Sequence, residues 1–150
     1  MKKINLCLFF ICASTLLLLG ATVAQAGQSA DLGDVVVHYN ATPTDFFDPK
    51  VTKTLGIKRS KNRALLTVSV LKKHMGLSTE PMKASVEASA VNLNNQIKVL
   101  DVREITEGGA VYYIAEFPVT NRETLDFSID VTPLGGTQKT VKFRQQFFTD

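Results

Sequence analysis

The segment Gly56–Lys73, GIKRSKNRALLTVSVLKK, joins the densest run of positive charge in the chain to its most strand-like sequence beyond the N-terminus. From Arg63 to Lys73, apolar and often β-branched residues alternate with Thr67 and Ser69, a pattern that indicates a β-strand. Leu65 makes the second face partly apolar as well, as is typical of a strand at the centre of a sheet. We therefore predict that a charged loop enters the central strand of a β-sandwich.

Turn residues divide the rest of the chain into further short strands. They are predicted at Asp34–Asn40, Ala84–Leu93, Ile97–Ile105, Ala110–Phe117, Thr124–Thr132 and Thr137–Phe148. Seven strands at this spacing favour an immunoglobulin-like β-sandwich of about seven antiparallel strands, a term that here describes architecture only. An outer-membrane barrel is disfavoured, because the alternate strand positions carry Ser, Thr, Asp and Lys rather than an apolar outer face.

At Pro49–Leu55 the alternation of apolar and polar residues gives way to helical spacing, which predicts a short helix. Asp48 is a suitable N-cap, Pro49 fixes φ at the first helical position, and Gly56 can adopt the left-handed cap. Val51 and Leu55 fall on one face of this helix. We also expect Phe46 and Phe47 to close the end of the core, and residues 27–32 to form a frayed tail.

The N-terminus reads as a secretory signal peptide. Lys2 and Lys3 precede an apolar run, and Ala24-Gln25-Ala26 supplies the small residues of a cleavage site. We predict cleavage after Ala26, a periplasmic protein without a stable membrane anchor, and one domain at residues 27–150. Cys7 and Cys12 both fall within the leader, so the exported chain has no disulfide or thiolate ligand.

The charge composition of the exported chain limits the classes of partner that it could bind. Removing the 26-residue leader and its two lysines leaves 124 residues with 15 basic and 14 acidic side chains, a net charge of +1. A nearly neutral exported protein is a poor candidate for binding nucleic acid.

Three stretches carry a resemblance to a known family. They are the opening segment, Val111–Pro118 (VYYIAEFP) and Val141–Asp150 (VKFRQQFFTD). With GDVVVHYN near the start, the chain resembles short exported proteins of Gram-negative bacteria catalogued as domain of unknown function 4426. The resemblance implies an exported single domain, and it implies no activity, catalytic residue or cofactor.

The basic run is the first candidate functional site. Lys58, Arg59, Lys61 and Arg63 fall within six residues, where like charges repel unless an anionic partner meets them. We predict that they bind an anionic envelope component or a periplasmic protein, although a solvated loop explains them as well. Replacing Lys58, Arg59 and Lys61 with Ser is expected to leave the melting temperature nearly unchanged.

A second candidate is a copper site. His74, Met75 and Met82 offer imidazole and thioether ligands that suit Cu(I), and a small periplasmic copper-binding carrier is the alternative function. The other interpretation is a solvent-facing histidine and two methionines that cover the edge of the core.

Catalysis is not predicted. Ser69 and Lys72 match the S-x-x-K pattern, but residues three apart in a strand point to opposite faces, so the match is fortuitous. His38 and His74 are the only histidines, and no sequence motif joins either to a nucleophile or a metal site. An unrecognised hydrolase is the third hypothesis.

Overall fold

In the computed structural model, which describes residues 28–75 and 78–150, ten β-strands form two antiparallel sheets that enclose one main core. The strands are β1 (Gln28–Asp31), β2 (Val35–Pro43), β3 (Arg63–Lys73), β4 (Thr79–Pro81), β5 (Ala84–Asn92), β6 (Ile97–Leu100), β7 (Arg103–Glu107), β8 (Ala110–Pro118), β9 (Thr124–Pro133) and β10 (Lys139–Gln146). A 3₁₀ turn at Thr44–Phe46 and one helix, α1 (Pro49–Leu55), lie between β2 and β3. The predicted all-β, sandwich-like architecture with one short helix is confirmed.

The strand β3 organises the first sheet. The order of that sheet is β1-β2-β3-β8-β7, and the short β4 pairs with the far end of β3. Leu66, Val68 and Val70 of β3 are each at most 1% exposed because they face the core. The second sheet has the order β10-β9-β5-β6. The predicted central position of β3 is therefore confirmed.

Aromatic side chains fill one end of the core between the sheets. Phe127 of β9 stacks on Phe143 of β10 with ring centroids 4.5 Å apart. Phe117, from β8 of the first sheet, meets Phe127 edge-on at 5.6 Å and Phe147 at 5.9 Å. Such pairs contribute about 1 kcal/mol each beyond the area that they bury, and here they join the two sheets.

A second, smaller core lies on the outer face of the first sheet. Ile57, Leu65 and Ile114 are buried there, and Phe47 and Leu55 pack against them. This cluster explains why β3 is apolar on both faces. Val51 and Leu55, which the sequence places on one face of the helix, differ in burial. Leu55 packs against this cluster, whereas Val51 is 44% exposed, and the buried residue of the helix is Thr52.

Two strand assignments from the sequence are wrong. The expected tail contains β1, whose Gln28–Asp31 pairs with Val36–Tyr39 of β2. The expected single strand at Ile97–Ile105 is two strands in different sheets, β6 and β7. Leu100 is buried and Val102 packs against the same core, so the alternating pattern continues across the crossing and hides it.

Two side chains of β10, in the second sheet, form polar contacts with β2 and the residues before it, in the first sheet. The Lys139 ammonium donates to the Leu32 carbonyl and forms an ion pair with Asp34. The Gln145 side-chain amide donates to the Ala41 carbonyl at 2.6 Å. The Ala41 carbonyl lies on the β2 edge that β1 covers only as far as Tyr39, as the described residues show.

Candidate docking surface

The loop between α1 and β3 is anchored by hydrogen bonds to the buried Thr44. The Thr44 hydroxyl oxygen lies 2.9 Å from the Lys58 carbonyl oxygen and 3.0 Å from the Ser60 carbonyl oxygen, and it accepts the Ser60 N–H at 2.9 Å. Thr44 is fully buried, so water does not compete for these bonds. The basic loop is thus anchored in its middle to the 3₁₀ turn.

Arg59 supplies a second anchor. Its Nε donates to the Phe47 carbonyl at 3.2 Å, and its Nη2 donates to the Asp45 carbonyl at 2.7 Å. Hydrogen bonds from a charged donor are stronger than neutral ones. The guanidinium therefore fastens the loop to the backbone on both sides of Phe46.

The four cations predicted to form one patch have three different surroundings. Lys58 and Lys61 are exposed, and within residues 28–75 and 78–150 neither forms an ion pair. Arg59 binds backbone carbonyls, whereas Arg63 forms an ion pair with Glu116. Arg63 also lines a separate cleft of about 380 Å³ beside the C-terminal end of α1.

The segment from Thr44 to Arg63 nonetheless has a clear excess of positive charge. It contains six cationic side chains and two carboxylates. One of these carboxylates, that of Asp48, accepts the Lys50 N–H at 2.7 Å as the N-cap of α1, as predicted. Lys50 and Lys53 of α1 are exposed, as are Lys58 and Lys61 of the loop that follows it.

An apolar feature that the sequence did not reveal lies at the 3₁₀ turn to which the basic loop is anchored. Phe46 is 77% exposed and Phe148 is 63% exposed, and both line a groove of about 220 Å³. The expectation that Phe46 closes the core is wrong, because only Phe47 turns inward. The pair Phe147-Phe148 shows the same division, since Phe147 is buried and Phe148 projects into solvent.

We define the docking surface as Phe46 and Phe148 together with Lys58 and Lys61. The sequence signal for its apolar part was two Phe-Phe pairs, one in the turn after β2 and one after β10. Successive residues at the end of a strand point to opposite sides, so Phe148 is exposed where Phe147 is buried.

The three residues of the predicted copper site have separate contacts. The His74 Nε2 lies 2.9 Å from a Glu80 carboxylate oxygen, Met75 is fully exposed, and Met82 packs against the main core. The described residues contain no group of three or more His, Cys, Asp or Glu side chains placed to hold a metal ion.

Ser69 and His38 are directly paired across β3 and β2. In the part of the chain that the structure describes, no hydrogen bond joins their side chains or links either of them to a carboxylate. Ser69 and Lys72 both lie in β3, as predicted.

The chain belongs to the family described as domain of unknown function DUF4426, whose model matches residues 29–150. The resemblance noted from the sequence is confirmed. A crystal structure of a DUF4426 family protein from Pseudomonas aeruginosa PAO1 is 35% identical, with a TM-score of 0.73, and the match covers 85% of this chain and 98% of that one.

A more distant structure shares the fold. FetP of uropathogenic Escherichia coli strain F11, expressed recombinantly in the periplasm of E. coli, is 10% identical with a TM-score of 0.60. The match covers 82% of this chain and 94% of FetP. No curated protein matches the chain. Among the described residues, no helix has the length and apolar character needed to cross a bilayer.

Proposed function

We propose that this chain is an exported, non-catalytic binding module that docks on an anionic component of the bacterial envelope. The observation that supports it best is the anchored basic loop. Thr44 and Arg59 hold its backbone, while Lys58 and Lys61 remain exposed with no ion pair among the described residues. Export to the periplasm rests on the leader, residues 1–26, which lie outside the described part of the chain.

The physical advantage of such a loop is preorganisation. A mobile loop loses conformational entropy when it binds, whereas a loop already fixed by hydrogen bonds loses less. Exposed cations also accelerate encounter with an anionic surface, and added salt screens this effect. Docking should therefore weaken as ionic strength rises.

The test is crosslinking in intact cells followed by mass spectrometry of the trapped molecules. The variant Lys58→Ser with Lys61→Ser should lose the anionic partner while its melting temperature stays unchanged. A matched control is Lys72→Ser with Lys142→Ser, which removes the same charge from exposed positions on β3 and β10. If the loop variant traps every partner as well as the wild type at low salt, the proposal is overturned.

Copper transport remains the second candidate. To bind one Cu(I) ion together, His74 would have to leave Glu80 and Met82 would have to leave the edge of the core. No contact among residues 28–75 and 78–150 favours this rearrangement, so we rank it below docking. Calorimetry with Cu(I) under reducing conditions tests it. Binding that survives Met75→Ala with Met82→Ala excludes this site.

A further inference from the structure

We infer, building on the proposed function, that the anionic component is the surface of a phospholipid bilayer. Phe46 and Phe148 insert below the headgroups, and Lys58 and Lys61 contact the phosphates. A bilayer presents negative charge above hydrocarbon, and the docking surface combines exposed cations on the anchored loop with aromatic rings that project into solvent.

The exposure of the two rings is the first argument. Phe46 and Phe148 leave 77% and 63% of their surface in contact with water although both line the same groove. Isolated exposed apolar residues are common, but two that share a groove indicate a surface that another apolar phase covers.

The anchoring of Phe46 is the second argument. Arg59 binds the carbonyls of Asp45 and Phe47, the residues immediately before and after Phe46. The same guanidinium belongs to the loop that carries Lys58 and Lys61. One side chain therefore links the backbone on both sides of Phe46 to the loop that carries the two lysines, as simultaneous insertion and headgroup contact require.

Shape and hydrogen bonding narrow the choice of occupant. The rings project from the surface, which suits insertion into a layer better than enclosure of a small molecule. A partner strand is disfavoured, because the Ala41 carbonyl is already occupied by Gln145 and Pro43 has no N–H to donate. A free phosphate would need the lysines and leave the rings without a role.

One exposed carboxylate opposes this docking. Asp150 is exposed and lies only two residues beyond Phe148, so its negative charge is close in sequence to an inserting ring. Because like charges repel at a membrane surface, Asp150→Asn should strengthen vesicle binding. This gain is specific to an anionic layer, since neutral vesicles would not distinguish the two forms.

The experiment is cosedimentation of the purified protein with vesicles of equimolar phosphatidylcholine and phosphatidylglycerol, and with phosphatidylcholine alone. Binding to the mixed vesicles is expected, and Lys58→Ser with Lys61→Ser should weaken it by about thirtyfold, since each lysine contributes about fivefold. Phe46→Ser with Phe148→Ser should weaken it by at least about tenfold. The control Val99→Ser with Leu134→Ser removes two apolar side chains that are more exposed than the phenylalanines and lie elsewhere, and it should bind as the wild type does.

The outcomes separate this inference from the proposed function. If the lysine variant loses vesicle binding and the phenylalanine variant retains it, insertion is overturned and anionic docking stands. The wild type could also bind neither kind of vesicle and still trap a partner in cells through Lys58 and Lys61. That result would show that the partner is not a phospholipid bilayer, while anionic docking would stand. If the lysine variant keeps every partner and all vesicle binding, both proposals fail.

Discussion

The hydroxyl of Tyr113 accepts a hydrogen bond of 2.8 Å from the backbone N–H of Ala84, which joins β8 of one sheet to the first residue of β5 in the other. The same hydroxyl lies 3.3 Å from Glu104 on β7, and the Glu104 carboxylate forms an ion pair of 2.7 Å with Lys83. Tyr113 is only 4% exposed, so its hydrogen bond to Ala84 is shielded from water, whereas the ion pair between Lys83 and Glu104 lies at the surface.

We predict that Tyr113→Phe lowers the free energy of unfolding by about 1–2 kcal/mol, because the Ala84 N–H loses its partner in a site with little water. Tyr112→Phe is the matched control, since Tyr112 is 40% exposed on the opposite face of the same strand. Urea denaturation of both variants measures the difference. Equal losses would show that the hydroxyl of Tyr113 contributes nothing specific.

The facing of β3 predicts a large asymmetry between adjacent positions. Val68→Asp places a charge where the wild-type residue is 1% exposed, and it should cost more than about 4 kcal/mol or prevent folding. Thr67→Asp, on the outer face, should be much milder. Thermal melts check this, and comparable losses at the two positions would contradict the assigned faces.

Arg59 should behave differently from its charged neighbours. The sequence predicted that Arg59 could be replaced with Lys58 and Lys61 at no cost in stability, but Arg59 holds two backbone carbonyls. We now expect Arg59→Ser to lower stability by about 1 kcal/mol, whereas Lys58→Ser with Lys61→Ser leaves it unchanged. A melting temperature for Arg59→Ser equal to that of the wild type would show that these hydrogen bonds do not hold the loop.

Acid should destabilise the fold through its paired carboxylates. Hydrogen bonds of 2.6 and 2.7 Å from Arg144 lower the pKa of Asp126 below its ordinary range. Lys73 and Lys139 likewise lower the pKa of Asp31 and of Asp34. A group whose pKa is lower in the folded state stabilises the fold above its unfolded pKa, and this contribution is lost as the pH falls through the folded value.

The free energy of unfolding should therefore decline as the pH falls below about 4. In Asp126→Asn the decline should be shallower, because one titrating contribution is absent. Denaturant melts between neutral pH and strong acid measure the slope. An identical slope in the wild type and the variant would contradict the assignment.

Local features of this fold were readable from the sequence, and features made across the sandwich were not. Pro49–Leu55 was predicted with its correct ends because Asp48 and Gly56 cap it within a few residues. The break between β6 and β7 was missed because Leu100, at the end of β6, and Val102, in the link before β7, face the same core. The role of Arg59 was missed because its acceptors, the carbonyls of Asp45 and Phe47, are twelve or more positions away.

The edge of β2 that Gln145 contacts also affects how copies of this chain behave when crowded. Leu32 donates its N–H to the Val35 carbonyl, so alternate residues, including Ala41 and Pro43, turn their backbone toward this edge. The Gln145 amide occupies the Ala41 carbonyl, and Pro43 has no backbone N–H. Few backbone groups on this edge are therefore free to form a β-ladder with a second chain. Gln145→Ala with Pro43→Thr should make these groups available and speed the growth of thioflavin-binding fibrils at high concentration. Unchanged growth would show that the edge is protected by something else.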